Sequence, residues 1–122
     1  MYAVLQSLNT QFASSQNIID QVGQNCSFLM EVQDQVDAFI SYNLRESDRV
    51  TKEGHRNYEL VVAIVAPTVT KLFQIYDAVR AVIDTETTDF YSEFTGSGYP
   101  EPVSELDDKY LLELNYDISS NQ

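Results

Sequence analysis

His55 is the single histidine and Cys26 the single cysteine of this 122-residue chain. One imidazole and one thiol do not make the usual zinc sets, and one cysteine cannot close an internal disulfide. A nucleophile needs a base within reach, yet no serine or cysteine near His55 stands in a recognisable nucleophile pattern. His55 lies among charged residues and reads as a solvent-facing bystander. Glu105, Asp107 and Asp108 bring three carboxylates into four residues, but the alternating oxygen ligands and turn glycine of a calcium loop are missing. Thr95-Gly96-Ser97-Gly98 has the glycines of a phosphate cradle without a lysine or a following helix N-terminus. No catalytic residue, cofactor or metal site is therefore expected. A pocket under the loop from Thr95 to Asp108 is the one place a small ligand-binding or enzymatic α+β domain would use, and catalytic-type polar residues do not converge there.

Charge carries more information than any motif. Nineteen acids against seven basic residues give a net charge of −12. That balance argues against a nucleic-acid reader that works by neutralising phosphates. Ten acids fall between Asp84 and Asp117, offset there only by Lys109, whereas Arg45, Arg49, Lys52 and Arg56 make up four of the seven cations. Either both regions are solvated surface, or they are complementary patches that meet across a subunit boundary. Glu105, Asp107 and Asp108 stand for the acidic side of such an interface. Of the eight tyrosines, Tyr91 and Tyr99 fall near the loop and are candidate interface anchors, while Tyr42, Tyr58, Tyr110 and Tyr116 fill strand faces.

The elements that must position these residues follow from periodicity. Ala38, Ile40, Tyr42 and Leu44 alternate with Phe39, Ser41, Asn43 and Arg45, the pattern of a half-buried strand with Phe39 as its one outward apolar residue. Arg45 to Arg56 reads as a charged hairpin connection in which Glu53-Gly54 reverses the chain. Tyr58 to Ala66 is apolar on both faces after Glu59 and belongs at the centre of the sheet. Pro67 ends it, and Thr68 caps a helix with Val69, Leu72, Phe73, Tyr76, Val79 and Ile83 inward. Lys71, Gln74, Asp77, Arg80 and Asp84 face water. That helix covers one face of the central strand and leaves the other for burial against a further subunit.

Val4, Leu5, Leu8 and Phe12 mark an N-terminal helix, with Ile18, Ile19 and Val22 as a short continuation before Gly23. Phe28 to Val32 and Asp89 to Phe94 are short strands. Tyr110, Leu112, Leu114, Tyr116 and Ile118 mark the last one, with Lys109, Glu113, Asn115 and Asp117 outward and Leu111 out of pattern. The predicted fold is α+β: a single domain, residues 1–122, with an antiparallel or mixed sheet of four to five strands and two helices on one face. The N-terminus shows no signal peptide or membrane span, and the lone cysteine points to folding in a reducing cytoplasm.

Four pieces in this order carry a likeness: the helix Tyr2 to Phe12, the hairpin tip Thr51-Lys52-Glu53-Gly54, the Val-rich strand running through Pro67 into the helix Val69 to Ile83, and the closing segment Leu106 to Ile118. Together they resemble the tail-completion or tail-terminator proteins of long-tailed bacteriophages, the lambda-type minor tail terminator family. The segment Gln16 to Gln35 departs most from that pattern. The resemblance implies a non-enzymatic homo-oligomer, a ring and usually a hexamer, assembled in the host cytoplasm and carried in the virion. Such a ring binds the tail tube protein and a head-completion or neck protein, stops tube polymerisation, and lets genomic DNA pass without specific binding. A head-completion or stopper ring is the alternative of the same class.

Overall fold

The computed structural model describes residues 2–23, 25–28, 38–50, 56–83, 90–103 and 109–120. Along the chain the elements are α1 (Tyr2–Ser14), α2 (Gln16–Val22), β1 (Cys26–Phe28), β2 (Phe39–Val50), β3 (Arg56–Ala66), α3 (Val69–Ile83), β4 (Phe90–Ser97), β5 (Glu101–Pro102) and β6 (Tyr110–Ser120). The strands form one mixed sheet ordered β1-β2-β3-β6-β4, with β5 continuing the β4 side of β6. Among the described strands only β1 runs parallel to its neighbour; the other pairings are antiparallel. The α+β class is as expected. Among the described residues the helices number three rather than two, because the serine pair Ser14-Ser15 splits the N-terminal segment. The Ser14 hydroxyl donates back to the Thr10 carbonyl at 2.7 Å, and Ser15 caps α2 by accepting from the Ile18 N–H.

β3 lies at the centre because it alone is apolar over its full width. Tyr58, Leu60, Val62, Ile64 and Ala66 are each at most 2 % exposed and face the helices. Directly across from them stand Leu44, Tyr42 and Ile40 on β2, and Ile118, Tyr116, Leu114 and Leu112 on β6. α1 contributes Val4, Leu8 and Phe12 to this layer, α2 Ile18 and Val22, and α3 Leu72, Ile75, Ala78, Val79 and Ile83. Thr68 caps α3 as expected: its hydroxyl accepts from the Lys71 N–H at 3.1 Å and its carbonyl from the Leu72 N–H at 3.0 Å. The helix is rotated from the predicted face, however. Ile75 and Ala78 point inward, while Val69 and Phe73 are 39 % and 46 % exposed. α1 and α2 share the helix layer with α3, so its buried side turns towards both them and the sheet.

The strands also run differently at their ends. β1 begins at Cys26 rather than at Phe28, and Leu29 to Val32 lie outside the described residues. β2 continues through Arg45 to Val50, so six residues assigned to the charged connection are strand. β4 runs on into the predicted loop as far as Ser97, with a bulge between Phe94 and Gly96. Gly96 has φ +148°, a backbone setting that side-chain-bearing residues rarely adopt. Lys109, expected in water, is buried just before β6, where its carbonyl accepts from the Val103 N–H.

Phe39, predicted to point outward alone, is 2 % exposed. It does sit on the face away from the helices, but its cross-strand neighbour there is Val65, and Val65 is in turn opposite Leu111. The two residues that break alternation in the sequence thus join one apolar row. The two faces of β3 should respond differently to truncation. Ile64→Ala, beneath the helices, should lower unfolding free energy in urea by about 2–5 kcal/mol. Val61→Ala, half-buried on the other face, should cost about 1 kcal/mol or less. Equal losses at the two positions would contradict this division.

Candidate functional site

Among the described residues no three His, Cys, Asp or Glu side chains gather where they could hold a metal ion. A cavity of ≈ 530 Å³ opens beside α1, α2, β1 and β2, lined by Asn9, Phe12, Ile18, Cys26, Phe28 and Tyr42 among others. The Tyr42 ring stacks on Phe12 at 4.7 Å between centroids, and its hydroxyl donates to Asn9 Oδ1. Burial pushes the Cys26 thiol up to about 12, which keeps it protonated at neutral pH and makes it a poor nucleophile. The pocket under the loop after β4 is smaller, ≈ 230 Å³, and the charged groups among its described lining are Glu101 and Glu113. Among the described lining residues, neither space joins a nucleophile to a base.

The sheet face away from the helices holds most of the charge on the described strands. Register lays it out in rows across β2, β3 and β6. Phe39, Val65 and Leu111 form the first; Ser41, Ala63 and Glu113 the second; Asn43, Val61 and Asn115 the third. Arg45, Glu59 and Asp117 make the fourth, which Glu93 extends onto β4. Asn57, Ser119 and Tyr91 make the fifth, where the Ser119 hydroxyl donates to Asn57 Oδ1 at 3.0 Å. The face therefore grades from apolar at one end, through small and polar residues, to charged near the β2–β3 hairpin. Val61, Ala63 and Leu111 on it are only half-buried.

The predicted interface residues separate on this frame. Arg45 is a strand residue, and its guanidinium pairs with the Glu59 carboxylate at 2.5 and 2.7 Å. With the two side chains 67 % and 39 % exposed, that pair is worth about 0–1 kcal/mol. Arg49 and Arg56 belong to β2 and β3 at the hairpin end. Tyr91, 50 % exposed, shares the open face with Arg45, whereas Tyr99, 92 % exposed, follows β4 at the opposite, apolar end. Lys52, Glu105, Asp107 and Asp108 lie outside the described residues. The acids that composition did not single out are Glu93, Glu101, Glu113 and Asp117. Strand alternation in β6 already put two of them on one face; the register adds the other two.

A second feature is aromatic. Rings of Phe73, Tyr76, Phe94 and Tyr116 step from the surface of α3 into the core, with centroids 6.4, 6.5 and 5.3 Å apart in turn. Arg80, predicted to face water, lies over the Phe94 ring at 3.7 Å and donates to the Tyr76 hydroxyl at 3.1 Å. Its guanidinium thus covers the Phe94 ring of β4, beside the contact that Tyr76 of α3 makes with the same ring. No helix among the described residues is long and apolar enough to cross a membrane.

No family model and no curated protein matches this chain. Among solved structures, it is similar in fold to a chain in the virion of a native gene transfer agent particle. The two share 12 % sequence identity and a TM-score of 0.73, and the match covers 95 % of this chain and 93 % of that one. The likeness is thus one of the whole fold rather than of a fragment.

The cavity generates a pH prediction. Cys26 rises from an ordinary 9.0 to about 12 through burial, and Tyr42 from 10.0 to about 12 through burial first and the Cys26 charge second. Both raised values favour the protonated, folded form, so their contribution is complete below pH 9 and fades as pH climbs towards 12. Urea midpoints measured across that range should fall, and Cys26→Ala should flatten the first part of the decline. A midpoint independent of alkaline pH would contradict the burial of both groups.

Proposed function

We propose that this chain is a structural component of a phage-type virion: a tail-terminator subunit that forms a closed ring at the head-proximal end of the tail tube. In that position it ends tube polymerisation and supplies part of the joint to the head. The observation that carries the reading is the whole-length fold likeness to a chain of a virion particle. The order of elements in the sequence, which resembles the terminator family, points the same way. So does the surface. A structural ring needs two different patches that meet their counterparts on neighbouring copies, and a net charge of −12 suits a passage through which DNA moves without sticking. The described cavities offer no paired acid and base that would favour an enzyme over an assembly role.

Electron microscopy of tails assembled with a labelled copy of this chain tests the proposal. The label is expected at one end of each tube, with tubes growing past their normal length when the chain is omitted. Label distributed along the tube would identify a tube protein instead. Binding to the portal-side adaptor with no affinity for tubes would identify a stopper ring.

A further inference from the structure

A structural ring needs surface patches and leaves unused the cavity of ≈ 530 Å³ beside α1, α2, β1 and β2. Three aromatic rings shape that cavity. Phe12 and Tyr42 stack with centroids 4.7 Å apart and planes 25° from parallel, and Phe28 leans on Tyr42 at 6.0 Å and 58°. Ile18 in its wall is 1 % exposed, while the adjacent Ile19 is 41 % exposed, so the apolar lining runs from the core out to the mouth. Polar character is confined to one place: the Tyr42 hydroxyl donates to Asn9 Oδ1, and the Asn9 amide, on an exposed residue, carries two N–H donors of its own. We propose that this cavity is a binding site for a small, neutral aromatic molecule, its ring packed against Phe12, Phe28 and Tyr42 and its polar group hydrogen-bonded to the Asn9 amide.

Size, walls and charge all fit that ligand class. Small-molecule sites are concave spaces of roughly 300–1,000 Å³ with aliphatic and aromatic walls and a few placed polar groups, and this cavity has each of those properties. Aromatic pairs gain more than their buried area alone provides when rings meet offset or edge to face, so walls built from three rings favour a fourth over an aliphatic chain. No lysine, arginine, histidine, aspartate or glutamate is among the described lining residues. The titratable groups there, the Cys26 thiol and the Tyr42 phenol, stay neutral at ordinary pH because burial raises both. A charged ligand would therefore leave water for a wall that offers it no opposite charge.

The test titrates the full chain with N-phenylnaphthylamine, a neutral dye that brightens in apolar surroundings, and in parallel with anilinonaphthalene sulfonate, the same skeleton carrying a negative charge. The neutral dye should bind saturably, one molecule per chain, and the sulfonate at least ~10-fold more weakly. Ala13→Trp, at an exposed lining position of α1, should fill the mouth and weaken the neutral dye at least ~10-fold, and Asn9→Leu should weaken it about fivefold, the worth of one hydrogen bond. Phe73→Ser, which removes an exposed ring from α3 outside the cavity, should leave binding unchanged. Each variant is first checked for an unaltered thermal midpoint. A readout on the wild type needs no variant: bound dye should slow alkylation of Cys26, the chain's sole thiol and part of the cavity wall, in proportion to occupancy. Absent or unsaturable binding overturns the proposal, as does binding that Phe73→Ser abolishes and Ala13→Trp spares. Equal affinity for the sulfonate overturns the neutral class. Failure of the dye together with loss of self-association in Ala13→Trp would give the cavity to an apolar side chain of another copy and overturn the small-molecule ligand.

Discussion

The burial of β3 is the constraint from which the rest follows. Five side chains on one of its faces lie under the helices, and each large one adds about 1.5–3 kcal/mol by leaving water. Strand geometry then gives the rest of the fold no freedom, since a slip of one residue would turn Tyr58, Leu60, Val62 and Ile64 out of the core. β2 and β6 must align their own apolar sets with it, and they do so without a register shift from Phe39 to Glu46 and from Tyr110 to Ser119. α3 must return over β3 and β6, which Pro67 and the Thr68 cap arrange within two residues.

The same register fixes what the other face presents. Once Leu112, Leu114, Tyr116 and Ile118 turn inward, Glu113 and Asp117 have nowhere to point but outward. The surface charge pattern is a by-product of core packing in its geometry, though not in its composition, because nothing in the core requires those outward positions to be acidic. An apolar row at one end and charges at the other make a graded surface suited to directional contact. Val61, Ala63 and Leu111 supply modest half-buried apolar area there, bordered by Glu113 and Glu101. On the helix side, the Arg80 guanidinium over Phe94 ties α3 to β4, beside the Tyr76–Phe94 ring contact.

Much of this was legible beforehand. The central strand, its proline stop, the capping threonine and the inward set of the last strand all follow from local rules that depend on few neighbours. The misses share a physical origin in contacts distant along the chain. Phe39 and Leu111 looked like isolated exceptions because the row that unites them runs through Val65, twenty-six and forty-six positions from each. Phe73 fitted the helical period as well as Ile75 did, and only the neighbouring α1 and α2 decide which one turns inward. Residue type alone puts Arg80 in water, although an aromatic face on β4 holds it. As for the candidate surface, the basic cluster was visible as a run, whereas the acids of β4 and β5 became part of one patch only through pairing with β6.

The central claim is that the two sheet faces do different work, one holding the fold and the other making the contacts of assembly. Hydroxyl-radical footprinting of the free chain and of the chain on tail tubes reads this directly, residue by residue. The account predicts that assembly protects Tyr91, Val61 and Leu111 on the open face, with Val69 and Phe73 on α3 as reactive as before. Protection of Val69 and Phe73 with an unchanged open face would contradict it.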